Sequence, residues 1–455
     1  MRVMRLALAV SVAAILGSSP LRATAAQPSQ TPQSGTFQSL SYEISLTPDF
    51  ATGVLSGVER LRFRSLSDGL DTLSFTANGL ALNASLDGMD SVTSAVEGKR
   101  LILHLPRRLA KGETATLTVS FTGRPTSNLV FTPQEIHTGF FTCAAMICDD
   151  DRPGDRATLQ LALTLPTGMD AVAPGRLVSR RSSGPDRETW RWREDRPYPA
   201  YLFGFAAGRY AREPLAGRTG LSVLYAGETP QRVRQMFADT SRMIAFYQSK
   251  AGLPPPEPSY TQVLVDSYGD QEDASLSMIE KGSIEPILTD PQKDGIVAHE
   301  LAHQWWGNLV TCADWKELWL NEGLTVFMVA AYKEQRWGRA AYDRAIASAN
   351  AGWAAAKAAN FDVPLSYAGD YPSLSAKRRI AYSKSVVFLD LLRSELGETA
   401  FWDGLRSYTR ANAGRSVSAA DLERAFEAAS SRDLSALFRT WVFGETDTPP
   451  APVSR

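Results

Sequence analysis

The chain has few of the residues that staple or metallate small domains. Among 455 residues only Cys143, Cys148 and Cys312 are cysteines. That is too few for a disulfide framework or a cysteine-rich zinc module. Histidine is also scarce, at four residues, yet two of these, His299 and His303, stand four positions apart. No charge sign is in excess: 48 Lys and Arg face 49 Asp and Glu, for a net charge of −1. With no basic block, the electrostatic footprint of a nucleic-acid binder is missing, and no nucleic-acid partner is expected. After the first residues no apolar run approaches the ~20 residues that span a bilayer. What remains is ordinary globular composition, 44% hydrophobic and 21% charged, which excludes a disordered, coiled-coil or collagen-like chain. The length suffices for two or three domains.

The first residues read as an address. Arg2 and Arg5 precede the apolar run Leu6 to Leu16, Pro20 breaks it, and Ala23-Thr24-Ala25-Ala26 offers small residues at a cleavage site. This is the layout of a secretory signal peptide over residues 1–26. Its removal takes three arginines and no acid, leaving 45 basic and 49 acidic residues, a net charge of −4. We expect export, to the periplasm or the medium, and no membrane span in the mature chain. In such a compartment a Cys143–Cys148 disulfide is permitted, leaving Cys312 free; three unpaired thiols is the alternative.

Residues 27–36 read as a flexible lead-in. Over residues 37–215 the hydrophobic period is two. Ala115, Leu117, Val119 and Phe121 alternate with Thr116, Thr118 and Ser120, and Leu159, Leu161, Leu163 and Leu165 share one face. Further strands are expected at Leu101 to Leu105 and Thr189 to Arg193. Many short alternating strands predict an antiparallel, sandwich-like β domain. Over residues 216–446 the period becomes helical. Helices are expected at Thr229 to Lys250, Lys293 to Val310, Lys316 to Trp337 and Ser383 to Leu396, with a strand at Ser259 to Val265. Residues 447–455 form a Pro-rich tail. The fold class is therefore α+β in two domains.

The chemistry concentrates in the second half. His299-Glu300-Leu301-Ala302-His303 is an H-E-x-x-H motif. On a helix, positions i and i+4 share a face, so two imidazoles can hold one Zn2+ while Glu300 stands beside the ion's water. A third ligand is needed, and Glu322, in Trp319-Leu320-Asn321-Glu322-Gly323, follows His303 at the distance of a turn and a returning helix. A chance match on a core helix is the bland alternative, and the correctly spaced Asn-Glu-Gly argues against it.

In this wording, HELAHQWWGNLVT followed by WLNEG, the chain resembles the gluzincin metallopeptidases of the aminopeptidase N type. The likeness covers most of the mature chain, including YEISLTPDF and LSGVERLRF near the start, Tyr201-Leu202-Phe203-Gly204-Phe205 at the domain junction, and Cys148 to Pro153, similar to the family's C-F-D-E-P turn. The resemblance implies a thermolysin-like catalytic domain, one zinc per chain and peptide substrates. It implies an oxyanion-binding tyrosine, matched by Tyr382-Ser383-Lys384-Ser385 except for a final glycine. The family's G-x-M-E-N segment binds the substrate's α-amine through its Glu. Anchoring that motif on Met278 and Gly282 puts Ile279 at the Glu position and Glu280 one place late. Met278 and Glu280 are thus the substrate-binding candidates, with Glu272 or Asp273 as other possible holders of the amine.

Three functions remain open: an exported zinc aminopeptidase, a zinc peptidase with relaxed or endo specificity, and a non-catalytic, zinc-containing peptide-binding relative. The complete set His299, Glu300, His303, Glu322 and Tyr382 favours an enzyme. Many family members continue into a large helical C-terminal domain, for which this chain is too short. Oligomeric state is left undetermined.

Overall fold

The computed structural model describes residues 35–445 except 126, 141, 219, 267 and 268. The expected signal peptide, most of the lead-in and the Pro-rich tail lie outside the described residues.

The first half is built on a ten-stranded sheet. Its order is Arg176–Gly184, Arg187–Pro199, Arg156–Pro166, Phe37–Asp49, Val54–Ser65, Thr114–Gly123, Ala81–Leu86, Met89–Glu97, Arg100–Leu109, Leu70–Thr76. Alternation fixes its register: Leu61 lies opposite both Tyr42 and Leu117, with all three buried. A one-residue slip would turn every such residue to solvent. One pair departs from the expected antiparallel pattern, because Phe37–Asp49 runs parallel to Arg156–Pro166. The sheet also folds over on itself. Phe37 and Phe75 lie six strands apart in the sheet order, about 29 Å if it were flat, yet their ring centroids are 5.6 Å apart. The sandwich-like character arises from this curl around one core. A smaller four-stranded sheet, Asp170–Val172, Ala206–Gly208, Glu135–Thr138 and Leu129–Phe131, adjoins it.

The second half opens with the sheet Ala211–Pro214, Leu221–Tyr225, Tyr260–Val265, Leu276–Glu280. Ala211–Pro214 pairs with Leu221–Tyr225, so this sheet begins a few residues ahead of the change of hydrophobic period at residue 216. Tyr260–Val265 is buried along its whole length, as an interior strand between parallel neighbours requires. The helix expected at 229–250 is two helices, Pro230–Met236 and Thr240–Ala251. The break lets the Asp239 carboxylate accept from Arg336 Nε at 2.7 Å.

Helix Gly295–Ala302 is shorter than the expected 293–310 and buried throughout. It ends because His303 turns its ring to the carbonyl of Trp306 and Gly307 takes φ +122°. A Cβ on Gly307 would lie 2.5 Å from His303 Nδ1, so this turn requires glycine. Helix Trp319–Trp337 returns beside it, buried over its first fifteen residues. The last helical stretch, Ser385–Ala411, follows a π-helical turn at Arg379–Lys384 and is broken by a kink at Gly397 (φ +75°), next to Leu396, where the sequence placed a helix end. The domains are tied together by Arg156, which reaches Thr311 Oγ1 at 2.7 Å and the Asn308 carbonyl at 3.1 Å, and by Trp315 Nε1 on the Asp150 carbonyl at 2.7 Å. No helix among the described residues is long and apolar enough to cross a membrane.

Cys143 and Cys148 form a disulfide with Cα atoms 5.1 Å apart, and Cys312 is a free buried thiol.

Candidate active site

His299 lies in the last turn of helix Gly295–Ala302 and His303 caps it. Their Nε2 atoms are 3.0 Å apart. Glu322, in the first turn of helix Trp319–Trp337, brings Oε2 to 3.3 Å from His299 Nε2 and 3.5 Å from His303 Nε2. All three side chains are buried. His303 Nδ1 is 3.1 Å from the Trp306 carbonyl. The Nδ1 proton donates there, which leaves the Nε2 lone pair directed at the centre of the trio. Glu322 is steadied from its neighbour, because Asn321 Oδ1 accepts from the Cys312 backbone N–H at 2.9 Å.

These residues fit a zinc ion. Two imidazole nitrogens and one carboxylate oxygen converge in a water-poor site, and Glu322 Oε2 has no hydrogen-bond partner among the described residues. Such a cluster of acceptors is unfavourable without a cation among them, and two nitrogens with one oxygen is a catalytic-zinc donor set. Without an ion, burial opposes protonation of His303, but Glu322 and Glu272 outweigh it and raise its pKa. Burial, then His303, push the His299 pKa down to about 4. Burial opposes ionisation of Glu322, but the imidazoles outweigh it and hold its carboxyl well below the usual range.

The other expected residues divide into two groups. Glu300 and Tyr382 are at the site. Glu300 is buried, its Oε1 has no hydrogen-bond partner among the described residues, and burial followed by Glu272 raises its pKa well above normal. Tyr382 sits on the π-turn, a helix irregularity frequent at functional sites. Its ring stacks on that of His299 at 6.3 Å, and its buried hydroxyl has no hydrogen-bond partner among the described residues.

Met278 and Glu280 belong elsewhere. Met278 is buried in a small core with Val263, Val265 and Leu276. Glu280, at the end of its strand, accepts from the Gly269 N–H at 2.9 Å. The carboxylate that reaches the site is Glu272. Its ligand atom, one from Glu300 and one from His303 all lie within 4.8 Å of one another. Gly269-Asp270-Gln271-Glu272-Asp273 carries the Gly and the Glu of G-x-M-E-N at the right spacing, with Gln271 for the Met and Asp273 for the Asn. That Gly-to-Glu spacing was a signal available in the sequence, alternative to the anchor on Met278 and Gly282. Gln271 pairs back onto Met278 in an isolated antiparallel bridge, so the segment doubles over and delivers Glu272 beside the zinc helix.

A curled β domain joined to a helical domain with an H-E-x-x-H…E trio is an arrangement of the gluzincin type. Residues 236–441 match the Peptidase family M1 domain. It is 25% identical over 336 residues to leukotriene A-4 hydrolase of Xenopus laevis, covering 67% of this chain and 52% of that protein. It is 26% identical over 300 residues to aminopeptidase N of Haemophilus influenzae, covering 59% of this chain and 33% of that protein. The chain thus spans about half the length of the first of these curated relatives and a third of the second. Among solved structures it is similar to the M1 zinc metallopeptidase of Deinococcus radiodurans, with TM-score 0.76, 24% identity and coverage of 93% of this chain and 97% of that one. A mutant of that metallopeptidase bound to a Tyr-Ser-Ala substrate gives TM-score 0.74 and 25% identity, covering 92% and 97% of the two chains.

Proposed function

We propose that this protein is a zinc aminopeptidase that removes N-terminal residues from short peptides. The observation that carries the reading is the placement of Glu272 beside Glu300 and His303. A buried carboxylate there is suited to accept hydrogen bonds from a substrate ammonium group and so hold the first peptide bond at the metal ligands. His299, His303 and Glu322 would hold the ion. A zinc ion so held supplies Lewis acidity, polarising a carbonyl and acidifying water. Glu300 takes the proton of the attacking water and delivers it to the leaving amine, acting as base and then acid. The Tyr382 hydroxyl donates to the oxyanion as it develops.

A digest of one peptide mixture, half with free N-termini and half N-acetylated, tests the reading. Single residues lost only from the free peptides are expected. Internal cuts in both halves would instead mean a relaxed or endo specificity.

We further propose export after cleavage near Ala26. The layout of residues 1–26 supports it, as does the disulfide Cys143–Cys148, a bond that persists in oxidising compartments. N-terminal sequencing of the protein recovered outside the cytoplasm is expected to begin near Gln27; an intact Met1 on that material would count against cleavage.

A further inference from the structure

The segment that delivers Glu272 is held from two sides. From the zinc helix and its turn, Asn308 Nδ2 donates to the Glu272 carbonyl at 2.7 Å. Gln304 Nε2 donates to the Asp273 carbonyl at 3.0 Å, and Gln304 Oε1 accepts from the Ser275 N–H at 3.0 Å. From the β domain, the Gly204 N–H donates to Asp273 Oδ1 at 3.1 Å, the Leu202 carbonyl accepts from the Ala274 N–H at 3.0 Å, and the Gly175 N–H donates to Ser275 Oγ at 2.9 Å. Four consecutive residues thus take hydrogen bonds from both domains, three of them from the β domain. Ser275 sits at φ +62°, a left-handed conformation that a non-glycine residue keeps only where its surroundings impose it. Gly204 packs so closely that a Cβ there would stand 2.2 Å from Asp273 Oδ1.

We propose that Gln304, Asn308 and Gly204 are positioning residues that set where the Glu272 carboxylate stands relative to the metal ligands. Recognition of a free N-terminus then depends on the β domain being docked against the catalytic domain. The argument is geometric. Glu272 lies on a doubled-back loop rather than on a strand, and a loop holds a group to the tolerance binding needs only when its backbone is fixed by outside partners. Gln304 and Asn308 stand one and five residues after His303, so the segment that orients a metal ligand also registers the loop. Gly204 supplies the matching constraint from the other domain. This inference rests on the proposed amine-binding role of Glu272.

The test compares two metal-directed ligands, phenylalanine hydroxamate and 3-phenylpropionyl hydroxamate, which differ only in the α-amine. Their dissociation constants are measured by calorimetry on the zinc-loaded protein, and their ratio reports amine recognition. The unmodified protein should prefer the amine compound, and Glu272→Ala should abolish that preference. Asn308→Ala, Gln304→Ala and Gly204→Ala should each lower the ratio about tenfold or more, with zinc content and the dissociation constant of the des-amino compound unchanged. A ratio kept at the unmodified value, or an equal weakening of both ligands, overturns the inference. If Glu272→Ala itself leaves the ratio intact, the amine-anchor reading fails and takes this inference with it. Gly204→Ala acts from the β domain, so it still reports if the fully buried Asn308 tolerates no substitution.

Discussion

The Nε2 atoms of His299 and His303 face each other across 3.0 Å, and Glu322 closes the third side of the space between their lone pairs. An ion bound there stabilises the folded chain by mass action, about 4 kcal/mol at a thousandfold excess over Kd. Chelation is expected to abolish activity and lower the Tm by several degrees, and stoichiometric zinc to restore both. His299→Ala and Glu322→Ala should each reduce bound zinc to a small fraction of one per chain, read by elemental analysis. Full zinc occupancy in either variant would refute the ligand set.

Glu300 is beside the site but not among its three ligands, so Glu300→Gln separates chemistry from metal binding. The variant should keep one zinc while kcat falls about 10²–10⁴-fold, the usual weight of a general acid–base group. Tyr382→Phe should lower kcat about 10²–10³-fold with little change in KM, as expected for a donor engaged in the transition state. A large rise in KM at constant kcat would place Tyr382 in ground-state binding instead.

The zinc trio and Glu300 were legible in the sequence because their spacing is local. Two histidines one turn apart define a helix face, and Glu322 returns on the next helix, where a short connection leaves little choice of geometry. Tyr382 was legible through its distance from Glu322 and the helix that follows, although no pattern foretold the π-turn. Glu272 was not ranked first, because its placement depends on a reversal between Gln271 and Met278 that no periodicity encodes. The curl of the large sheet and its parallel pair were hidden for the same reason. They arise from contacts such as Phe37 with Phe75, far apart in the sheet order.

The two candidate anchors give a contrast to measure. Glu280 accepts from the Gly269 N–H, whereas Glu272, whose Oε2 accepts from Gln271 Nε2 at 2.6 Å, stands beside Glu300 and His303. Glu272→Gln should raise KM for a free-amine dipeptide substrate about 100-fold, the effect of losing a buried charged partner worth nearly 3 kcal/mol. Glu280→Gln should change it less than about threefold, within the range of a surface substitution of roughly 0.5 kcal/mol. The reverse ranking would return the amine anchor to Glu280.

Cys143 and Cys148 are both buried, and the loop they close also supplies the Ile147 N–H to Glu59. So short a loop removes little unfolded-state entropy, about 2 kcal/mol in the chain-entropy estimate. The double substitution to Ser should cost roughly that much, or about 1 kcal/mol more through burial of unmatched hydroxyls, read as a shift in the denaturation midpoint. Activity at low temperature should be retained, since neither cysteine approaches the zinc trio. Loss of zinc on reduction would contradict this separation.

Glu59 lies on the inward row of its strand with Leu61 and Phe63, fully buried, and only Oε2 finds a partner. Burial raises its pKa from 4.5 to about 8. The folded state therefore holds this proton over a range in which the unfolded chain has released it. The contribution to stability is full below about pH 4.5 and declines as pH rises toward 8, by on the order of 3–5 kcal/mol. Glu59→Gln keeps an acceptor for the Ile147 N–H and cannot ionise, at the cost of an unmatched amide donor of about 1–3 kcal/mol. The variant should be less stable than the unmodified protein at pH 5 and more stable at pH 8.5, with the two unfolding curves crossing between. Other buried acids, such as Glu194, whose pKa burial also raises to about 8, tilt both proteins alike and cancel in the difference. Parallel pH profiles for the two proteins would mean that Glu59 stays ionised in the folded state, and the assignment of a buried neutral carboxyl would fall.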